Sequence, residues 1–307
     1  MTELILHHFK NSPFSEKIRL VLGCKQLPWK SVIVPMILPK PDVIALTGGY
    51  RRTPVLQIGA DIYCDTALIC RVLDRVAPQP PLYAPATAGI AQIIAQWADG
   101  TLFWSAVPYT MQPAAVAHIV GDASPEFLKA LAADRAAMTA GMRRATPVDA
   151  GAQLTSYLGW LDGLLGDGRG FLLGDAPCIA DFAAVHPLWF LRLAPPLAAI
   201  FAPFPRASAW RERVIAFGHG SPETLSSGEA IAVAARSAPA ATAVEPGLGF
   251  SPGAQVTVSA MDYATDLVPG TLVGLSTTEV VIARHDERAG DVHVHFPRAG
   301  YQIKSAG

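Results

Sequence analysis

The spacing of apolar positions changes character twice along the chain. From residue 3 to about 76, short apolar runs alternate with helical patterns. Leu4-Ile5-Leu6 predicts a strand over 3–9. After Ser12-Pro13, the residues Phe14, Ile18, Val21 and Leu22 recur at helical spacing, so a helix is expected over 13–24. Pro13 suits the first helical position, where a fixed φ and a missing N–H cost nothing, and this makes Ser12 the N-cap. VIVPMI at 32–37 reads as a second strand, 41–46 as a short helix, and 53–64 as two strands around a turn at Gly59. Asp65-Thr66 then opens a helix carrying Leu68, Ile69, Val72 and Leu73.

Pro78, Pro80, Pro81 and Pro85 prevent that helix from continuing, so 76–87 reads as a linker. From 88 to about 220 the period is helical. One long amphipathic helix should carry Trp97 and Trp104, and another should span 125–144. A third places Leu154, Tyr157, Leu158, Leu161, Leu164 and Leu165 on one face. CIADFAAVHPLWFLRL is nearly all apolar and should be the buried central helix. Further helices are expected near 204–217 and over 221–238. The Ala/Pro/Gly-rich stretch 239–254 reads as a second linker. Beyond it the period becomes two. AQVTVSAM, GTLVGLS, EVVIAR, DVHVHF and YQIK are five short strands, the content of a small antiparallel barrel of the SH3-like kind. The units expected are 1–80, 88–238 and 250–307, the last separable from the others.

Composition adds exclusions. With 307 residues, 51% hydrophobic and 16% charged, the chain has material for a large core. A net charge of −1 argues against nucleic-acid or anionic-membrane partners. No apolar run reaches the ~18–20 residues of a spanning helix. The N-terminus lacks a basic region followed by an apolar one, so no signal peptide is read and a cytoplasmic location is expected. Cys24, Cys64, Cys70 and Cys178 show no CxxC and no metal spacing, which fits small buried hydrophobes in a reducing compartment.

A strand that delivers a hydroxyl to a helix N-terminus builds a place for an anion or a thiolate. Three segments give this a context: SPFSEKIRL at 12–20, RRTPVL at 51–56 and YCDTALICRVL at 63–73. Through them, residues 1–85 resemble the thioredoxin-like, glutathione-binding domain of the glutathione S-transferase superfamily, and the helical stretch resembles its all-α second domain. The first segment is closest to branches with Ser or Cys at the start of the first helix. Against the pattern C-P-F-x-E-R the chain has Ser12 at the Cys position, and against the Tyr-type enzymes it has His8 at the tyrosine position. The resemblance implies glutathione as cosubstrate, with the Ser12 hydroxyl donating to its sulfur. It implies that Pro54, in Arg52-Thr53-Pro54-Val55, is a cis-proline aiming the Val55 backbone at the cysteinyl part. Asp65-Thr66 would hold the γ-glutamyl ammonium and carboxylate, where the family usually has Glu/Gln-Ser. Lys40 and Arg52 would reach the glycine carboxylate. FLLGDAPCIADF matches the family's buried N-capping region, with Asp181 as acidic partner and Cys178 where Ser or Thr is usual. A thiol accepts backbone N–H bonds poorly, so a weaker cap is expected.

The implied chemistry follows from thiol ionisation. A free thiol has a pKa near ~8.5, and a hydrogen-bond donor plus a helix N-terminus both favour the anion. Serine cannot form a mixed disulfide, so Ser12 favours conjugation or isomerisation over thiol–disulfide exchange. The electrophile, a small molecule, would lie between the domains near Phe103, Trp104 and Tyr109. Ser15 reads as a first-turn hydrogen-bonding residue, and His8 as structural. His285, Asp286, His293 and His295 read as a solvated strand face rather than a metal site. The competing reading is a non-catalytic binding or scaffold protein on the same fold, with the last strands as an interaction module. The resemblance implies a homodimer, since many relatives dimerise through both domains, unless the added strands block or replace that surface.

Overall fold

The computed structural model describes residues 3–306. Its first segment forms β1 (Ile5–His8), α1 (Pro13–Cys24), β2 (Pro28–Ile33), α2 (Pro41–Thr47), β3 (Val55–Ile58), β4 (Asp61–Cys64) and α3 (Thr66–Val76). β1 runs parallel to β2 and antiparallel to β3, and β3 runs antiparallel to β4. This is the thioredoxin-like order expected, except that the second strand starts at Pro28 rather than 32. The Thr53–Pro54 peptide is cis. Ser12 caps α1, its Oγ accepting from the Ser15 N–H at 3.2 Å.

The helical part contains α4 (Ala88–Trp97), α5 (Phe103–Thr110), α6 (Pro113–Val120), α7 (Pro125–Met138), α8 (Pro147–Leu164), α9 (Ile179–Arg192) and α10 (Pro205–Ile215). The expected long helix over 88–110 is interrupted by a π-helical turn, Ala98–Leu102, which leaves Asp99 on a bulge. α9 is the central helix: among its residues only Trp189 and Arg192 escape burial. Asp181 is fully buried and acts as an N-terminal brace for α9. It accepts from the backbone N–H of Leu172 and Cys178 at 2.8 and 2.9 Å, and from Trp210 Nε1 at 2.8 Å. The Cys178 thiol donates to it as well, at 3.4 Å, and faces the Asp181 backbone N–H in return, so the two residues form a reciprocal cap.

The stretch 221–238 is not one helix. Ser226 and Glu229 form a reciprocal cap that starts α11 (Ser227–Arg236) late. The residues before it form β5 (Ser221–Thr224), which pairs in parallel with β2. After the second linker come β6 (Gln255–Ala260), β7 (Val268–Leu275), β8 (Glu279–Asp286), β9 (Gly290–Pro297) and β10 (Tyr301–Ser305). These five pair antiparallel in the order β10-β6-β7-β8-β9, the strand order of an SH3-like unit.

They do not stand apart. β9 pairs in parallel with β4, with Asp61 opposite His293 and Tyr63 opposite His295, so all ten strands belong to one sheet. One core runs through the junction: Leu46, Tyr50, Val55, Ile62 and Cys64 pack with Val258, Leu272, Val294, Phe296 and Tyr301. Gly48 ends α2 at φ +77°, and its missing side chain lets Arg284 of β8 lie against the backbone. Despite the linker composition and the change of period, residues 250–307 share a strand ladder and a core with the thioredoxin-like part. An unpaired β4 edge and an apolar face found their partner in the later strands.

Candidate functional site

The N-terminus of α1 opens into the cleft between the thioredoxin-like and helical parts. A cavity of about 650 Å³ lies there, walled by Phe14, Phe103, Trp104, Met111, Phe190 and Tyr263, with Ser12 on its floor. Ser12 is 3% exposed. Its oxygen accepts one backbone N–H, which leaves the hydroxyl proton for an acceptor in the cavity. Phe14 packs against two rings, Phe103 and His186, each with its centroid at 4.6 Å.

A second hollow of about 290 Å³ adjoins the first. Asp65, Thr66, Asp99, Arg52 and Lys17 are among its lining residues. Asp65 caps α3 from φ +77°, its Oδ1 accepting the Ala67 N–H at 2.8 Å. Burial raises the Asp65 carboxyl above its usual range, against the pull of the Ala67 N–H and Arg52. Lys17 is fully buried. Its ammonium bonds Asp99 at 2.6 Å and Thr66 Oγ1 at 3.2 Å. Asp99 also accepts from His186 Nε2, at 2.9 Å. Burial opposes both charges of the Lys17–Asp99 pair, but the pairing outweighs it: the Asp99 carboxyl sits below its usual range and the Lys17 ammonium above.

The expected site residues divide as follows. Ser12, Arg52, Thr53 and Lys40 line the first cavity, while Arg52, Thr53, Asp65 and Thr66 line the second, so Arg52 and Thr53 join the two. Val55 begins β3 directly after the cis-proline and is buried. Lys40 is 4% exposed and donates to the Arg51 carbonyl and to Thr53 Oγ1, at 3.2 and 3.0 Å. Burial, reinforced by Arg135, brings its pKa down to about 8. Arg52 is already engaged: it pairs with Asp262, donates to the Tyr263 carbonyl and lies 3.8 Å over the Tyr263 ring. Tyr109 is not a cavity wall; it packs toward Gly151 of α8. His8 is engaged by Ser31 Oγ and Arg19, at 2.8 and 3.0 Å. Burial and Arg19 bring the His8 pKa down to about 3. Ser15 is fully buried in the first turn of α1.

The strand-face histidines separate. His285 pairs with Asp291 in solvent at 2.8 Å, and Asp286 accepts the N–H groups of Arg288 and Ala289 in the next turn. His293 and His295 face Asp61 of β4 instead.

Two kinds of residue were missed from the sequence. Lys17 lies in the apolar stripe of α1, and Asp99 is the lone charge in the stretch 88–110; a charge in such a setting is a signal of buried pairing. Asp262, Tyr263 and Tyr301 carried no signal at all. They reach the cleft only because the β6–β7 loop crosses it, anchored by the Ala264 N–H to Met138 carbonyl bond of 2.7 Å, and because Tyr301 donates to Asp65 at 3.1 Å.

Comparison with known proteins bears on the family and the fold. Family models for the N-terminal and C-terminal domains of glutathione S-transferase match residues 6–81 and 122–213. A crystal structure of a GST-like protein from Pseudomonas syringae is 40% identical over the full length of both chains, with a TM-score of 0.83. Pyrimidodiazepine synthase of Drosophila melanogaster is 31% identical over 84 residues, 26% of this chain and 34% of its own length. The chain thus spans about a third of that relative. FtsZ-localized protein A of Caulobacter vibrioides is 26% identical over 187 residues, 59% of this chain and 74% of its own.

Proposed function

Because the chain belongs to the glutathione S-transferase superfamily, we propose that it is a glutathione-dependent transferase of the Ser type. The observation that carries this reading is the Ser12 hydroxyl, at the start of α1, with its proton available to an apolar cavity. The glutathione sulfur sits against that hydroxyl. The bond it receives and the helix N-terminus favour the thiolate, and each unit of thiol pKa lowered is worth ~1.4 kcal/mol. The thiol proton leaves to solvent. The thiolate then forms the carbon–sulfur bond to a small apolar electrophile lying among Phe14, Phe103 and Trp104, and the leaving group departs with its bonding pair.

The rest of the tripeptide runs from the first cavity into the second. The Val55 backbone pairs with the cysteinyl unit, with Thr53 beside it. Asp65 and Thr66 take the γ-glutamyl head. Arg52 and Lys40 supply positive charge for the glycine carboxylate, and Arg52 is freed for it by leaving Asp262.

A second reading is a ligand-binding protein without chemistry. It is favoured by the Arg52–Asp262 pair and by Tyr263, which occupy the boundary of the two hollows. The pH–rate profile with an aryl halide or isothiocyanate separates the two readings, run on wild type and Ser12→Ala with glutathione titrated calorimetrically into both. The transferase reading expects binding to both proteins, and a rate loss for Ser12→Ala that shrinks at high pH, where the thiol ionises unaided. Binding without turnover by wild type across several electrophiles supports the second reading, and absence of glutathione binding removes the first.

A further inference from the structure

We propose that Asp61, His293 and His295 form a binding site for a divalent ion of the zinc class, spanning the junction of β4 and β9. The parallel register puts Asp61 directly opposite His293, and His295 two residues on, along the same face of β9. One ligand atom from each of the three side chains lies within 4.8 Å of the others. His295 Nε2 is 3.0 Å from Asp61 Oδ1, and His293 Nδ1 is 4.0 Å from the same oxygen. Ligands at ~2.0–2.2 Å around a tetrahedral zinc stand roughly 3.3 Å apart, so these separations bracket the required triangle.

Two further features set this cluster apart from a chance grouping. The first is the orientation of His295. Its Nδ1 donates to Glu279 Oε1 at 2.7 Å and its Nε2 donates to Asp61 Oδ1 at 3.0 Å, so a cation entering between Nε2 and Asp61 would replace the second proton while Glu279 keeps the first. A carboxylate holding the far nitrogen of an imidazole is the outer-shell arrangement that fixes the tautomer of a metal-ligating histidine. The second is His293 Nδ1, which is buried and has no hydrogen-bond partner among the described residues. An orphaned imidazole nitrogen aimed at a carboxylate is an unsatisfied group that a cation would satisfy. Two imidazoles and one carboxylate suit zinc, cobalt or nickel rather than magnesium or calcium, which take oxygen donors. The side chain of His293 is 17% exposed against 9% for Asp61 and 5% for His295, which leaves the His293 side open for a water as fourth ligand. A metal here would tie β9 to the edge of the thioredoxin-like sheet, and this proposal does not depend on the transferase reading.

The test uses the full-length, tag-free chain, stripped with a chelator and titrated with zinc chloride. One equivalent should bind with a dissociation constant in the micromolar range or below. Saturating zinc should raise the melting temperature by about 5 °C at a hundredfold excess over that constant. Cobalt should give the visible bands of a four- or five-coordinate ion. His293→Gln should weaken zinc binding at least tenfold, and Glu279→Gln should weaken it ~10–100-fold through the outer shell. His285→Gln, at the exposed pair, should leave it unchanged. Should a variant fold poorly, long-range nitrogen–proton spectra of the wild-type imidazoles replace it, with zinc shifting the Nδ1 of His293 and the Nε2 of His295. The proposal is overturned if zinc binds His293→Gln as it binds wild type, or if no equivalent binds in that range. Either result leaves a His295 imidazole bonded between Asp61 and Glu279 and nothing more.

Discussion

At Arg52 two residue contacts compete for one guanidinium. The Asp262 carboxylate offers what a ligand carboxylate would, from a partly exposed position where ion pairs are worth ~0–1 kcal/mol. Asp262→Asn should therefore tighten glutathione binding a few-fold, read by calorimetry at low and high salt, with the gain smaller at high salt. Unchanged affinity would take Arg52 out of the ligand's reach. His7 makes a different prediction. Burial lowers its pKa to about 4, although Gln57 and Asp42 pull the other way. Unfolded, it titrates near 6.5. The native state thus binds fewer protons between these values, so its contribution to stability is complete above pH 6.5 and fades as pH falls toward 4, by up to ~1.4 kcal/mol per unit. Denaturant melts at pH 7 and pH 5 should show a steeper loss for wild type than for His7→Gln; equal losses would contradict the assignment.

Among the elements, the π-helical turn between α4 and α5 has a clear consequence. It places Asp99 where Lys17 of α1 and His186 of α9 both reach it, joining three helices at one carboxylate. Breaking a buried pair by removing one partner costs about 3–5 kcal/mol, because the other charge remains. Lys17→Met should fall near the low end of that range, since Asp99 keeps His186 and some exposure. Lys17→Met combined with Asp99→Leu should recover part of the loss. Urea melts of both variants decide it: Lys17→Met within 1 kcal/mol of wild type would mean that the pair contributes little. Asp181 acts on the same scale. It meets four donors at the start of α9, so Asp181→Ala should cost about 3 kcal/mol or more by leaving them unpaired.

For the whole molecule, the decisive feature is the β4–β9 pairing. A chain ending near residue 240 would expose the β4 edge together with Leu46, Tyr50, Val55 and Ile62. Fully burying a side chain of this kind is worth ~1.5–3 kcal/mol, so the loss is on the order of 5 kcal/mol or more, most of a typical domain's stability. The shortened chain should aggregate or lose near-ultraviolet circular dichroism. A soluble product with native dichroism would show that the thioredoxin-like and helical parts stand without the later strands. The same loss would strip Tyr301 from Asp65 and Tyr263 from Arg52, so the candidate site and the sheet depend on the same residues.

Local pattern determined a great deal of this. The Ser12-Pro13 start of α1, the Asp65 cap of α3 and the five later strands all follow from spacing and turn chemistry over a few residues, while the cis-proline before Val55 was implied by the family resemblance. The apolar run of α9 marked the centre of the helical part for the same reason, since a helix apolar all round has to be enclosed. What only the tertiary structure decided involves groups far apart in the chain. Which edge β9 joins is set by an open strand and an apolar face about 230 residues earlier, and no local period records that. The destinations of Lys17, Asp99 and His186, the Asp262–Arg52 pair, and the meeting of Asp61 with His293 and His295 are of the same kind. Alternation placed those two histidines on a polar strand face. The sheet turned that face toward a carboxylate, because the partner that desolvates a polar group is chosen by packing and not by its neighbours in the chain.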